Sequence, residues 1–421
     1  MAYAFADIEV TQPLPPVALD ADETGLAVLV RRCGRPVGFW MEEGPGGTRL
    51  GADALGARIA ARVATKLVQE AIREELPALP TLAPFPSLTM AVCTKDRPER
   101  LARCLGAILD LDPPAGVPAP EVLVVDNAPS DDRTRDTVAK LPGVRYTCEP
   151  RPGLDFARNR ALRDASGELL AFLDDDVVPD RGWLAGLADA WAANPDAAAF
   201  TGLVLPLALE TTAQILFEAN GGFRRGFDTI RYHGPTHPGN PLYPLGAGIF
   251  GAGANMAFRR DVLFDLGGFD DALDTGGPLP GGGDLDIFYR VVRAGWPLVY
   301  EPALLVFHEH RREMDALRRQ YESWGRGFMA FLEKVERTDA EQRDKVEAMR
   351  QWWFGHFRRQ LAKSVLGRHP LPPSMVLAEI QGGLRGRRGE YDRSLRRVEA
   401  IRRQFPAAPD DVAVVLEDER G

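Results

Sequence analysis

Three consecutive aspartates, Asp174, Asp175 and Asp176, close the apolar run ELLAFL. Like charges so crowded raise one another's pKa unless a cation neutralises them. A hard divalent ion with oxygen ligands does this: Mg2+ or Mn2+ takes one or two carboxylates, bridges phosphates and acts as a Lewis acid on a diphosphate leaving group. Taken alone, the triplet suits an exposed turn capping the helix in PDRGWLAGLADAW equally well. A second acidic pair, Asp284 and Asp286, stands in GGPLPGGGDLDIFYRVVRAG ahead of an amphipathic helix. Glycines there let backbone approach a ligand, and a helix start fixes a carboxylate in place. Asp284 is expected to be the general base that draws the proton from an acceptor hydroxyl, with Asp286 as its more structural partner. His308 and His310 in LLVFHEHRR fall on one side of an extended chain, and His308 is a candidate metal ligand. Asp126, closing EVLVVD, can accept hydrogen bonds from a base edge or ribose, although an Asx-turn or helix cap is the commoner use of such an Asp.

The elements that must position these groups follow from periodicity. From Ser87 onward, apolar strands (SLTMAVCTKD, EVLVVDN, GVRYTCE, ELLAFLDDD) alternate with helical segments (PERLARCLGAILDL, FARNRALRDAS). This pattern predicts an α/β fold, a Rossmann-like, mostly parallel sheet flanked by helices. Ligands bind at the carboxyl ends of such strands. Three polar clusters fall there: Thr94 to Arg97, Asp126 with Asn127, and Asp174 to Asp176.

Upstream, AVLVRRCGRPVGFWMEE reads as strands and ALGARIAARVATKLVQEAIREEL as a helix, until Pro77, Pro80, Pro84 and Pro86 interrupt it. Residues 1–82 are therefore expected to form a small accessory α+β unit, with a boundary near Thr81. Residues 83–312 would be the catalytic domain and 313–421 a helical C-terminal extension with a frayed acidic tail.

Composition excludes several classes. With 45% hydrophobic and 26% charged residues among 421, the chain is neither disordered nor a membrane bundle. The N-terminus lacks a basic region followed by an apolar core, and no stretch reaches about 20 uninterrupted apolar residues, so a cytoplasmic location is expected. A net charge of −9 disfavours nucleic-acid binding. Cys33, Cys93, Cys104 and Cys148 lack paired spacing, so free thiols are expected rather than a disulfide framework or Cys-based zinc site.

The order of segments CTKDRPERLARCL, VVDNAPSDD, GLDFARNRAL, FLDDDVVP, GANMAFRR, GGFDDAL, GGGDLDIFYRVVRAG and VFHEHRR resembles the family 2 glycosyltransferases of the GT-A fold, from Ser87 to about Arg312. The resemblance implies a nucleoside-diphosphate-sugar donor, a divalent cation (Mg2+ or Mn2+), and inversion at the anomeric carbon by in-line attack of an acceptor hydroxyl. It implies that Thr94 and Arg97 line the nucleotide pocket, that Asp126 contacts the base, and that Arg158 and Asn159 help hold the nucleotide. Asp174 and Asp176 match the two Asp of the DxD motif, Asp176 being the first choice for metal ligation, and Asp175 reaches toward the ribose. Gly253, Asn255 and Met256 match the loop beside sugar and acceptor, and Asp284 matches the catalytic Asp of a Glu-Asp motif. The departure is Gly283, which stands where the Glu is usual and raises the chance that Asp286 shares the work.

The family's commonest setting is cell-surface polysaccharide or lipid-linked glycan assembly. From Arg350 to Arg403 basic residues outnumber acidic ones, with Trp352, Trp353, Phe354 and Phe357 beside Arg358, Arg359 and Lys363. Such a helix suits an anionic membrane surface and a lipid-linked acceptor; packing on the catalytic domain is the alternative. The terminal units are natural interface elements for an oligomer. Two rivals stand beside a transferase. A sugar nucleotidyltransferase would carry a glycine-rich basic loop after its first strand, which CTKDRPERL does not resemble. A carbohydrate- or nucleotide-sugar-binding module without activity would explain Gly283 but not the retention of Asp174, Asp176, Asp284 and His308.

Overall fold

The computed structural model describes residues 2–76, 84–276 and 279–406. The expected boundary near Thr81 and the acidic tail lie outside the described residues. The first unit comprises β1 (Ala2–Glu9), β2 (Val17–Ala18), β3 (Glu23–Arg32), β4 (Arg35–Glu43), β5 (Arg49–Leu50) and α1 (Ala52–Glu75). Cys33 and Gly34, both at positive φ, make the tight turn between β3 and β4. Strand β3 is apolar on both faces for a reason. Leu26, Val28 and Val30 pack toward Leu55 and Ile59 of α1, whereas Ala27 and Leu29 share a second core with Leu203, Leu205 and Leu305 of the neighbouring domain. Ion pairs Arg31–Asp180 (2.7 Å) and Arg35–Glu301 (2.6 Å) fasten the same contact.

The large domain runs β6 (Leu88–Thr94), α2 (Pro98–Leu109), β7 (Glu121–Asn127), α3 (Arg133–Val138), β8 (Val144–Glu149), α4 (Leu154–Asp164), β9 (Leu169–Asp174), β10 (Val177–Pro179), α5 (Trp183–Ala193), β11 (Ala199–Pro206), α6 (Thr212–Ala219), β12 (Ile230–Tyr232), β13 (Asn255–Arg259), α7 (Arg260–Asp265), α8 (Gly283–Arg293) and β14 (Leu298–His308). Its strands form one sheet in the order β10-β14-β11-β13-β9-β6-β7-β8, with β12 pairing β14. The predicted parallel arrangement holds for β9-β6-β7-β8 and for β11 beside β14, whereas β13 enters antiparallel between β9 and β11. Six strands therefore point the same way. Their carboxyl ends deliver Thr94, Asn127, Asp174 and His308 to one edge.

The chain continues as α9 (Met314–Thr338), α10 (Arg343–Val365), α11 (Pro373–Gly386) and α12 (Glu390–Gln404). Helices α9 and α11 meet at backbone contact. A Cβ on Gly325 would come within 2.1 Å of the Glu379 carbonyl oxygen, and one on Gly386 within 2.5 Å of that of Arg326. The aromatic run of α10 packs inward: Trp353 is 5% exposed, whereas Trp352 is 49% exposed. Among the described residues no helix is long and apolar enough to cross a membrane, and all four cysteines are free.

Candidate active site

Two adjoining cavities open at the carboxyl edge of the sheet. The first, ≈ 600 Å³, is walled by the β6 end (Thr94, Arg97), Asn127, the acidic triplet and Arg311. The second, ≈ 940 Å³, is reached past Asp284 and the α9–α10 aromatics. Asp174, Asp274, His308 and Arg311 border both.

The triplet is divided by its partners. Asp175 is tied into the protein, accepting from Thr94 Oγ1 at 2.7 Å and from Arg97 at 3.1 Å. Burial still raises its carboxyl, against the pull of Arg97. Asp176 sits among cations without a close pair: Arg311 at 3.7 Å, Arg100 at 3.8 Å and Arg97 at 3.9 Å. Burial, reinforced by Asp176 and opposed by Arg158, pushes Asp174 up to about 7. Two carboxylates so crowded against one edge repel each other, and a cation between them would relieve that repulsion.

His308 supports the same conclusion through its ring. Its Nε2 lies 3.3 Å from Asp176 Oδ1, and its Nδ1 lies 2.9 Å from His310 Nδ1. His310 Nε2 in turn stands 2.8 Å from Oε1 of the buried Glu218. A carboxylate accepts, so His310 carries a proton on Nε2; with His310 neutral, its Nδ1 takes the proton of His308 Nδ1–H. Burial, then His310 and Arg311, holds His308 well below its ordinary pKa and therefore neutral. Its Nε2 is left as a bare lone pair facing a carboxylate oxygen, which is repulsive in isolation and the pose of two ligands around one cation. Among the described residues no three His, Cys, Asp or Glu side chains already converge on one point, so oxygens of a bound diphosphate would have to complete a coordination sphere.

Asp284 begins α8 on the second cavity, where its Oδ2 accepts from the Gly253 amide at 3.0 Å. Beside it the buried Arg158 bonds Asp155 at 3.0 Å and approaches Asp274 at 3.5 Å. Burial works against that guanidinium, yet Asp155 and Asp274 raise its pKa and keep it charged. Gly283 is explained by the same cluster. A Cβ there would fall 2.0 Å from Asp155 Oδ2, so Asp155 fills the space a side chain at 283 would need.

Several expected site residues are placed elsewhere. Asp286 is 1% exposed and locked between Arg290 (2.8 Å) and Lys334 (2.8 Å), away from both cavities; α8 turns it toward α9, so it holds helices together rather than sharing the base role. Asn159 pins the 269–271 turn, donating to the Phe269 carbonyl and Asp271 and accepting from the Phe269 amide, each at 2.8 Å. Asn255 is buried among Trp183, Leu203 and Leu304, bonding all three, and Met256 lies in the core; of the three expected residues Gly253 alone reaches a cavity. Asp126 is fully buried, with Oδ2 accepting from Tyr146 at 3.0 Å and Oδ1 unpaired, and its neighbour Asn127 lines the cavity instead. Burial raises its carboxyl, with Tyr146 opposing.

Other groups at the site were not singled out in the sequence. Asp274, at φ 54°, accepts from the Gly283 amide at 3.1 Å and is pushed up to about 6 by burial, against Arg158. Lys95, Arg311 and Arg397 add cations to the first cavity. Arg311 sits in the quoted HEHRR, and Asp274 in the turn after GGFDDAL; neither has a local signal that separates it from a surface charge. Glu218 and Arg397 come from distant helices and have none.

Comparison with known proteins bears on these groups. Residues 89–266 match the model described as Glycosyl transferase family 2. That segment of the chain is similar to the family. It is 29% identical over 158 residues to the pre-mycofactocin glycosyltransferase of Mycobacterium tuberculosis, a match covering 38% of this chain and 30% of that protein. It is 27% identical over 151 residues to the glucosyl-dolichyl phosphate glucuronosyltransferase of Haloferax volcanii, covering 35% and 45%. The chain thus spans less than half the length of these two relatives. Among solved structures it is similar to a mannosyltransferase from Pyrobaculum calidifontis in complex with GDP-Man and Mn2+, with 18% identity, TM-score 0.45, and coverage of 84% of this chain and 98% of that one. The matched segment contains Thr94, Asp126 and Asp174 to Asp176, while Asp284 and His308 follow it.

Proposed function

We propose that the protein transfers a sugar from a nucleoside-diphosphate sugar to an acceptor hydroxyl, with a divalent cation and with inversion. The observation that carries this reading is the junction of the two cavities. An acidic triplet ringed by Lys95, Arg97, Arg311 and Arg397 borders a compartment for a nucleotide, and Asp284 faces the compartment beside it. The nucleotide would lie along Thr94, Arg97 and Asn127, its diphosphate toward Arg311 and Arg397.

Asp176, Asp174 and His308 are the side chains that would hold Mg2+ or Mn2+. The bound ion would neutralise charge on the leaving diphosphate. Asp284, held by the Gly253 amide, would take the proton of the acceptor hydroxyl as that oxygen attacks. Arg158 keeps a fixed positive charge beside Asp284 and Asp174. Cell-surface polysaccharide or lipid-linked glycan assembly is the setting that the resemblance implies, whereas the aromatic lining of the second cavity favours a smaller acceptor. Contact with an anionic lipid surface is supported by Arg358, Arg359 and Lys363 near the exposed Trp352, Val365 and Leu366 of α10.

The test is a thermal-shift screen of nucleoside diphosphates with and without Mg2+ and Mn2+. A diphosphate should raise the melting temperature only with metal, and Asp176→Ala should abolish the gain. If no diphosphate stabilises the protein in a metal-dependent way, the reading fails.

A further inference from the structure

The second cavity has two unlike ends. Where it meets the first, its walls are polar: Asp174, Asp284, His308 and Arg311. Beyond Asp284 the walls are supplied by α9, α10 and α11: Arg319, Gln320 and Ser323 form a polar strip, and Trp324, Phe328, Trp353 and Phe357 an aromatic one. Phe328 and Trp353 stack with centroids 6.3 Å apart and planes 21° apart, Trp353 meets Phe357 at 4.4 Å, and Trp352 stacks on His356 at 5.1 Å. One carboxyl is set into this wall. Glu379 of α11 lines the cavity, and burial alone pushes it up to about 8, with no charge or hydrogen bond contributing.

Resting on the transferase reading above, we propose that this cavity is the acceptor site and that it selects a soluble acceptor whose reacting hydroxyl is carried on a compact, flat, apolar aglycone. The hydroxyl lies at Asp284, the aglycone among Phe328, Trp353 and Phe357, and a hydrogen-bonding group of the aglycone meets Glu379. Arg319, Gln320 and Ser323 of α9 can meet the hydroxyls of a sugar, while Phe328, Trp353 and Phe357 present an apolar face that a sugar alone would not fill. A volume of ≈ 940 Å³ suits a drug-sized molecule. Flat apolar rings gain most from such walls, through both burial and ring–ring geometry.

Calorimetry on the full chain with Mn2+ and the best-stabilising nucleoside diphosphate tests this. The probes are 2-naphthyl β-D-glucopyranoside, methyl β-D-glucopyranoside and farnesyl phosphate. The naphthyl glycoside should bind at least about tenfold tighter than the methyl glycoside. Ala316→Trp, which plugs the cavity from the half-buried second turn of α9, should weaken it at least about tenfold. Trp352→Ser, at a half-exposed rim position where folding is not at stake, should weaken it several-fold. Equal affinity for the naphthyl and methyl glycosides, tighter binding of farnesyl phosphate, or naphthyl binding unaffected by Ala316→Trp would overturn the proposal. The metal-dependent thermal shift by nucleoside diphosphate is read on the same samples. Its absence sinks the transferase reading, while its presence without aglycone selectivity sinks only this one.

Discussion

His310→Phe should weaken Mn2+ binding although His310 is not proposed as a ligand. The substitution conserves ring packing, because Phe217 and Phe223 already meet this ring at 4.7 and 5.9 Å. It removes the Nδ1 acceptor that fixes the His308 tautomer and the Nε2–H that binds Glu218. His308 Nδ1–H is then buried without a partner, and turning the ring to satisfy it costs the lone pair aimed beside Asp176. Partners of this kind set metal affinity by roughly 10- to 100-fold, which is about 1.4–2.7 kcal/mol. The unsatisfied groups should also lower stability by about 1–3 kcal/mol, limited by Arg224, which still pairs Glu218 Oε2 at 3.2 Å. The assay is the electron paramagnetic resonance signal of free Mn2+, titrated with protein and a saturating nucleoside diphosphate. His308→Ala, which removes the nitrogen itself, should lose at least as much. A folded His310→Phe protein whose Mn2+ dissociation constant stays within twofold of the parent would refute the relay.

Asp284→Asn should cut turnover about 10²–10⁴-fold while leaving the nucleoside-diphosphate thermal shift intact; loss of that shift would mean Asp284 serves the donor instead. Asp286→Asn leaves Lys334 with Asp270 as its remaining carboxylate, at 2.8 Å, and takes the charged partner from Arg290; it should cost about 1–3 kcal/mol in urea unfolding, with activity per folded molecule largely kept, and a catalytic defect without instability would show that Asp286 shares the base role. Gly283→Glu should fail to accumulate as folded protein, because its side chain would collide with Asp155, and a stable, active variant would show that Asp155 can move aside. Glu379 titrates near 8 in the folded protein and near its ordinary 4.5 when unfolded. The native state therefore holds the extra proton between those values, and stability falls as pH rises through that window. Glu379→Gln should raise the melting temperature by a few degrees at pH 9 and by less at pH 5; equal gains would place the carboxyl in water.

The central sheet was legible because each strand is short, apolar and closed by polar residues, and because helical periodicity separates strands. Reversal of β13 between β9 and β11 was not, since a five-residue strand reads alike in either direction. The donor half of the site was also legible: Thr94, Arg97, Asp174 and Asp176 are chain neighbours of strand ends, and strand ends converge in any sheet of this kind. Asp284 and Asp286 show where reading by spacing stops. They are two residues apart at a helix start, and 100° of rotation per residue sends one to the cavity and the other to Lys334. Asn159, Asn255 and Met256 share the difficulty, since a polar residue that staples a turn and one that grips a ligand look the same in sequence.

By itself the sequence indicated the proposed class of chemistry through the order of its motifs, since the acidic triplet alone suited a helix-capping turn equally well. Tertiary structure alone decided which of them meet. It joined Glu218 and His310 to His308, put Asp155 where a Glu at 283 would project, and folded the aromatic face of α10 inward beside Glu379. Each depends on packing between segments tens to hundreds of residues apart, a relation that no local pattern encodes.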